Sequence, residues 1–440
     1  MQPMIGGSLV RVFRLTISRL RLVSAVAQTN KDRNVRDVAV VGVGMTKFGK
    51  YQNTGIKELV CESVQEALKD SGIEKKQLQA AYVGNAAAGA ITGQHMIRGQ
   101  VTLAPMSIDE IPIYNIENAC ASSSTAFNLA WQAIATGVHD CVLVVGFEKL
   151  YDEDKNKSFL ALESGLDVVE YQTYFADVER RLGLEEQIFK EGGVNRSRFL
   201  DVYSFLARRF MDQYGLKQEH LAQLAVKAHK NGSLNPKAQY QERVTVEQVL
   251  QSGDVSYPLT RMMCAPIGDG GSAAILCSAS MAARYTSHPV WVAGSLVSSG
   301  SIRSDLDLSI TKRTATKLYE TSGVGPEDIS FAEIHDTTSS AEIMYLVELG
   351  FCGGENAVNC IEQGYFDIDG KLPSNPSGGL TTKGHPVAAT GVAQIYEVVL
   401  QLRGQAGKRQ VANAKIGMTH NGGGLLGVEP AAMVMHLFKR

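Results

Sequence analysis

Apolar positions along this chain alternate between two patterns. The run DVAVVGVG, ending at Gly44, is apolar at nearly every position, which predicts a strand covered on both faces. GIKELVCESVQEALKDSGI follows with Leu59, Val60, Val64, Ala67 and Leu68 on one stripe, a helix ended by Gly72. LQAAYVGNA then returns to strand. Late in the chain the order repeats: PVWVAGSLV from Pro289 reads as a strand, TATKLYETSGV as a helix ended by Gly323, and ISFAEIHDT as a strand. Ser71-Gly72-Ile73 matches Ser322-Gly323-Val324, and Leu78 matches Ile329 at the same offset.

A second pair of segments is also related. CASSSTAFNLAWQAIATG from Cys120 parallels HPVAATGVAQIYEVVLQLRG from His385, with Thr125 and Thr390 each five positions in. Each predicts a helix opened by a reactive residue and followed by a strand, DCVLVVGFE or AKIGMTHNGG. A duplicated βαβ-type half predicts two similar layered α/β units packed together. Small residues from Ala121 to Ala126 suit a helix pressed between sheets. The stretch from Lys149 to Tyr257 breaks the repeat, being charged, aromatic and helical in period. It reads as an insertion, the kind of segment that often carries substrate-binding function. The expected organisation is therefore a first half over 36–148 and 257–288, an insertion over 149–256, and a second half over 289–440.

Composition narrows the class. With 44% hydrophobic and 20% charged residues and a net charge of −2, the chain offers no global attraction for nucleic acid. Seven cysteines without framework spacing read as thiols of a reducing compartment. The absence of CxxC and HExxH leaves no metal motif. Residues 1–35 differ from the rest: LVRVFRLTISRLRLVSA carries Arg11, Arg14, Arg19 and Arg21, and no acid precedes Asp32. Arginines this frequent rule out a membrane span. The segment reads as a basic arm on a cytoplasmic protein, or as a targeting peptide for the mitochondrial matrix.

NACASSSTAF, CAPIGDGGSAAIL, NPSGGLTTKGHPVAATGVAQ and HNGGG together resemble the thiolase superfamily, nearest its sterol-carrier-protein-type and lipid-transfer-protein-type members. The resemblance runs from about Val38 to the C-terminus, and the GHPxxATG block is its most specific part. It implies the thiolase fold: two βαβαβαββ halves in an α/β/α/β/α arrangement with an inserted helical loop domain, usually as a homodimer. It also implies catalytic roles for Cys120, which carries the acyl group, His385, which activates it, and His335, which orients a water or the thioester oxygen. Coenzyme A and its acyl thioesters are the implied substrates, with no bound cofactor. Physically, a cysteine at a helix start meets unpaired N–H groups that favour thiolate. An imidazole beside it serves as base and later as donor to an oxyanion.

The chain departs from the family where a second thiol usually moves the α-carbon proton. Position 337 is threonine, and the Cys-x-Gly position reads His420-Asn421-Gly422. His420 titrates in the right range to substitute. Gly422 allows the close approach by which its N–H, with that of Cys120, forms an oxyanion hole alongside His385. The leading expectation is an acyltransferase that cleaves a bulky or C2-branched 3-ketoacyl-CoA with coenzyme A. One alternative is a retro-aldolase on a branched hydroxyacyl-CoA, working with a zinc-ribbon/OB-fold (DUF35-type) subunit. The other is a weakly catalytic protein that binds acyl-CoA or lipid. Asp336 reads as a turn or cap group, GVGMTKFG as a strand-to-loop turn, IGDGGSAAIL as a turn before a buried strand, and Cys264 as non-catalytic. VKAHKNGSLNP, with His229, reads as a solvated helix face; the alternative is that it approaches coenzyme A phosphates.

Overall fold

The computed structural model describes residues 35–170, 173, 197–286, 288–302 and 309–440. Residues 1–34 of the expected basic arm over 1–35, and residues 171–172 and 174–196 of the expected insertion over 149–256, lie outside the described residues. Among the described residues, no helix is long and apolar enough to cross a membrane.

The first apolar run forms β1 (Val38–Met45), buried along its whole length. Helix α1 (Ile56–Ser71) lays its apolar stripe on that strand so closely that a Cβ on Gly44 would lie 2.1 Å from the Ser63 carbonyl oxygen. The chain continues through β2 (Ala80–Gly84), β3 (Ile113–Ile116), helix α2 (Ser122–Ala135) and β4 (Cys141–Glu148). Helices α3 (Arg198–Tyr214) and α4 (Gln218–Gly232) follow, then a small hairpin of β5 (Asp254–Ser256) and β6 (Leu259–Thr260), and β7 (Gly270–Ser278). The second half comprises β8 (Val290–Ser299), α5 (Ile310–Ser322), β9 (Phe331–Glu333), α6 (Ser339–Glu348), α7 (Thr390–Arg403), β10 (Ile416–Leu426) and β11 (Glu429–Lys439).

The duplication extends to single hydrogen bonds. Gly72 and Gly323 end their helices at φ +69° and +70°. Ser71 Oγ donates to Leu68 O and accepts from Ile73 N, as Ser322 Oγ donates to the equivalent Tyr319 O and accepts from Val324 N. Such αL endings satisfy otherwise orphaned carbonyls, and glycine adopts them without strain.

Among the described residues nine strands form one sheet in the order β3-β2-β4-β7-β1-β8-β11-β10-β9, with β7 between β4 and β1. The halves meet where β1 pairs β8 over only Ala39↔Trp291 and Val40↔Val290. Around this short seam the two half-sheets fold over α2 and α7, which contact strands of both halves. With α1 outside one half-sheet and α5 outside the other, the molecule has the α/β/α/β/α order of the thiolase fold. Small residues allow the central contact: a Cβ on Gly391 of α7 would sit 2.0 Å from Ser124 Oγ of α2. Helices α3 and α4 lean on the second half, sharing one apolar core with Ile334, Tyr345 and Leu346.

Candidate functional site

Cys120 sits in a 3₁₀ turn, Ala119–Ala121, that leads into α2. Ala119 is held at φ +48° by local bonds: its N–H donates to Glu117 Oε1 (2.6 Å), while Asn118 Nδ2 donates to Thr125 Oγ1 (3.0 Å). Strand β10 runs against this turn so tightly that a Cβ on Gly423 would lie 2.1 Å from Asn118 O. His385 precedes the matching turn, Val387–Ala389, at the start of α7. Its Nδ1 is 2.7 Å from Thr390 Oγ1, and residues 385 and 267 form a parallel bridge. Glu148, at the end of β4, reaches across to accept from Ala388 N (3.3 Å) as well as from Ala86 and Ala87. That buried carboxyl fixes the His385 turn against the first half.

The two helix starts converge. Cys120 Sγ and one ring nitrogen each of His335 and His385 all lie within 4.8 Å of one another. The imidazoles meet edge to face, with centroids 5.3 Å apart at 82°. Asn421 sets the His335 ring: its Oδ1 accepts from Ser124 Oγ (2.7 Å), so its Nδ2 donates to His335 Nδ1 (2.9 Å). His335 then carries its proton on Nε2, as a hydrogen-bond donor. The His385 tautomer that donates Nδ1–H to Thr390 is the one in which Nε2 keeps the lone pair that a general base needs.

Burial sets the protonation states. Loss of water pushes the Cys120 thiol up to about 12; the N–H groups of Gly424 and of Cys120 itself counter this only in part, and Glu148 and Glu117 add to the rise. This corrects the expectation of a thiolate made by the helix start: N–H groups do reach the sulfur, but desolvation outweighs them. Burial first, and then the charge of Lys383, hold His385 down to about 3. His335 is held well down by burial and by its neighbours His385 and His420. The resting site is thus a neutral thiol beside two neutral imidazoles. Such a thiol needs a neighbouring base before it can act as a nucleophile.

Two further expectations shift by a residue or two. His420 is fully buried outside the triangle: its Nδ1 accepts from His335 N (3.4 Å), its Nε2 meets Thr311 Oγ1 (3.2 Å), and its ring packs 4.5 Å from that of Tyr345. Successive residues of a strand face opposite sides, so β10 aims Asn421 at the site and His420 away from it. The N–H that reaches the sulfur belongs to Gly424, at φ +61°, and not to Gly422, which packs against the His335 ring.

Comparison with known proteins gives the family. The model of the thiolase N-terminal domain matches residues 38–257, and that of the thiolase C-terminal domain-like family matches 294–435. The chain belongs to the thiolase family.

This thiolase is 39% identical over 411 residues to an acetyl-CoA acetyltransferase of Methanothermobacter thermautotrophicus, covering 92% of this chain and 100% of that one. It is 34% identical to human sterol carrier protein 2, over 92% of this chain and 72% of that one. Among solved structures, an "Ltp2-ChsH2(DUF35) aldolase" superposes with TM-score 0.72 at 23% identity, over 92% of this chain and 98% of that one. The relatives make this thiolase an enzyme of the acyltransferase class.

The remaining residues singled out from the sequence fall into structural roles in this thiolase. Asp336 accepts from Leu380 N (2.7 Å) and bonds Thr381, which makes it a turn residue. Cys264 donates to Thr260 O. Lys227 and His229 are not on a solvated face: Lys227 is buried in an ion pair with Glu342, and His229 Nδ1 bonds Glu242 O. All seven cysteines are free thiols. Asn421, Gly424 and Glu148 are not singled out by the sequence: the HNGGG run contains the first two without ranking them, and Glu148, at the end of DCVLVVGFE, carries no signal of its own.

Proposed function

We propose that this thiolase cleaves a 3-ketoacyl-CoA, bulky or branched at C2, by transferring its acyl group through Cys120 to coenzyme A. The observation that carries this reading is the convergence of Cys120 Sγ with His385 and His335 within 4.8 Å. In this mechanism His385 Nε2 takes the thiol proton, and the sulfur attacks the keto carbon. The His335 Nε2–H donates to an oxygen of the substrate, and the N–H groups of Gly424 and Cys120 stabilise the developing oxyanion. Coenzyme A enters as substrate, and no resident cofactor takes part. The inserted stretch over 149–256 shapes the acyl pocket, since α3 and α4 pack on the half that carries His335. Strand β3, at the sheet edge with Tyr114 47% exposed, is the surface on which a second copy would pair.

A second reading draws on the aldolase among the structural neighbours. It is retro-aldol cleavage of a branched hydroxyacyl-CoA with a DUF35-type partner, in which Cys120 takes no acyl group. Intact-mass measurement after incubation with 3-ketoacyl-CoA and acyl-CoA substrates separates the two. The acyltransferase reading expects one acyl adduct per chain, removed by coenzyme A and absent in Cys120→Ala. Turnover without any adduct, undiminished in Cys120→Ala, would replace it with the aldolase reading.

A further inference from the structure

Two separate stretches of chain must hold their imidazoles in register around one sulfur. His335 lies two residues beyond Glu333, the last residue of β9, and His385 lies two residues beyond Lys383. These two neighbours meet. Lys383 Nζ donates to Glu333 Oε2 at 3.2 Å, with the two side chains 1% and 0% exposed. Ser377 completes the carboxylate's partners, donating its N–H to Oε1 (3.0 Å) and its hydroxyl to Oε2 (2.6 Å).

Residues 374–383 run along the end of β9 on successive ties. Ser374 bridges Ala332 in parallel, Asn375 N donates to Ala332 O (2.8 Å), and Asn375 Oδ1 accepts from Ile334 N (2.6 Å). Leu380 N then donates to Asp336 Oδ1 (2.7 Å). Among the described residues, the Lys383 ammonium is the last side-chain tie to β9 before His385. Its carbonyl accepts from Gln239 N (3.0 Å), which fastens the backbone to the chain after α4. Between Lys383 and His385 stands Gly384 at φ +107° and ψ +163°, a conformation open to glycine alone. A joint of that freedom passes any drift of residue 383 on to the imidazole. Stability gives weak reason for the pair, because desolvating two charges offsets most of their attraction.

We propose that the buried Lys383–Glu333 ion pair is a positioning tether, which sets the His385 ring against His335 and so fixes the reach from base to sulfur. This rests on the acyl-transfer reading above for what the two imidazoles do. Lys383 and Glu333 act through those histidines and are positioning residues. The pair joins the two stretches at equivalent places, each two residues short of its imidazole, so one bond governs their relative placement. Ser377 braces the carboxylate from within the same loop, which leaves the ammonium a fixed target.

The test is the paired variant Lys383→Met/Glu333→Gln in the full chain, which keeps side-chain volume and net charge while removing the ionic bond. Its urea midpoint is expected within about 0.5 M of wild type, as for other buried pairs replaced together. Its kcat for 3-ketoacyl-CoA thiolysis is expected to fall about 30-fold, with KM changed by less than about threefold. Alkylation of Cys120 by iodoacetamide at pH 8, followed by peptide mass, is expected to slow about tenfold, because the base no longer meets the sulfur squarely. A wild-type rate in either assay, from a folded variant, would overturn the tether. Should the paired variant not fold, Glu333→Asp, one methylene shorter, decides: alkylation slowed by about threefold or more supports the tether, and the wild-type rate overturns it. Alkylation needs no substrate, so a wild type without thiolysis defeats the acyl-transfer reading while the tether is still judged by the sulfur.

Discussion

The two helix starts that carry Cys120 and His385 descend from one repeated pattern, yet they use the same threonine differently. Thr390 bonds the His385 ring itself, whereas Thr125, the same five positions along, bonds the Asn118 side chain. The first arrangement braces the reactive group; the second shapes the loop before it, and among the described residues no side-chain hydrogen bond holds the sulfur. His385 is also secured from the other half, because Glu148 grips the turn at Ala388. A base needs one fixed tautomer and direction, whereas a nucleophile needs freedom to form a bond. Duplication supplied two similar helix starts, and side-chain pairing made one a clamp and the other a free end.

Removing either reactive group tests this division most strongly. Cys120→Ala is expected to lower kcat for thiolysis by at least ~10⁴-fold. His385→Gln keeps a similar shape but cannot take a proton, and is expected to lower kcat about 10³-fold. Because the resting thiol is held up to about 12, the glutamine variant should also alkylate slowly with iodoacetamide at pH 8. Alkylation at the wild-type rate would mean that the sulfur ionises without His385, and the contrast between clamp and free end would collapse.

A smaller effect follows from the titrating groups of the two halves. The second half buries His385, His420 and His436, each held down to about 3 chiefly by desolvation. The first half buries Glu148, pushed up to about 7 by desolvation despite its N–H partners. Unfolded imidazoles bind protons near pH 6.5, so the unfolded chain takes up more protons than the folded one as pH falls from 6.5 toward 3. The stability these histidines contribute is present above pH 6.5 and is lost over that window. Glu148 and Glu348, both pushed up to about 7, and Asp336 and Glu397, also raised, act in the opposite sense, so the whole-protein profile mixes the two sets. The imidazole share is isolated by His436→Gln, which is expected to lose less stability than the wild type as pH falls from 7 to 4.5 in urea titrations. Parallel profiles for the two proteins would show that His436 is not buried neutral.

How much of this could be read from the sequence depended on which features repeat. The SGI/SGV helix endings and the paired helix starts encode local structure twice, so the duplicated architecture and the Cys120–His385 pair were legible. Strand β10 was not. Thr419, His420 and Asn421 are all buried, so no polar–apolar alternation shows which one faces the site. A parity error there exchanges His420 for Asn421. The glycine run has the same ambiguity, and only the αL turn at Gly424 brings its N–H to the sulfur. Burial of Lys227 was hidden because its partner, Glu342, lies 115 residues away.

The finest test changes only the two threonines. Thr390→Val removes the acceptor for His385 Nδ1–H and leaves the methyl volume in place. The ring then loses the bond that selects its tautomer, and kcat is expected to drop about tenfold to thirtyfold, with little change in KM. Thr125→Val removes the bond from Asn118 Nδ2, which costs about 1 kcal/mol of stability. Its kcat should stay within threefold, because the sulfur keeps its N–H contacts from Gly424 and from its own residue. Measuring kcat and urea midpoints for both variants makes the comparison direct. A Thr125→Val enzyme slowed as much as Thr390→Val would show that the loop before Cys120 is as exacting as the clamp on His385, and that the two starts are not specialised.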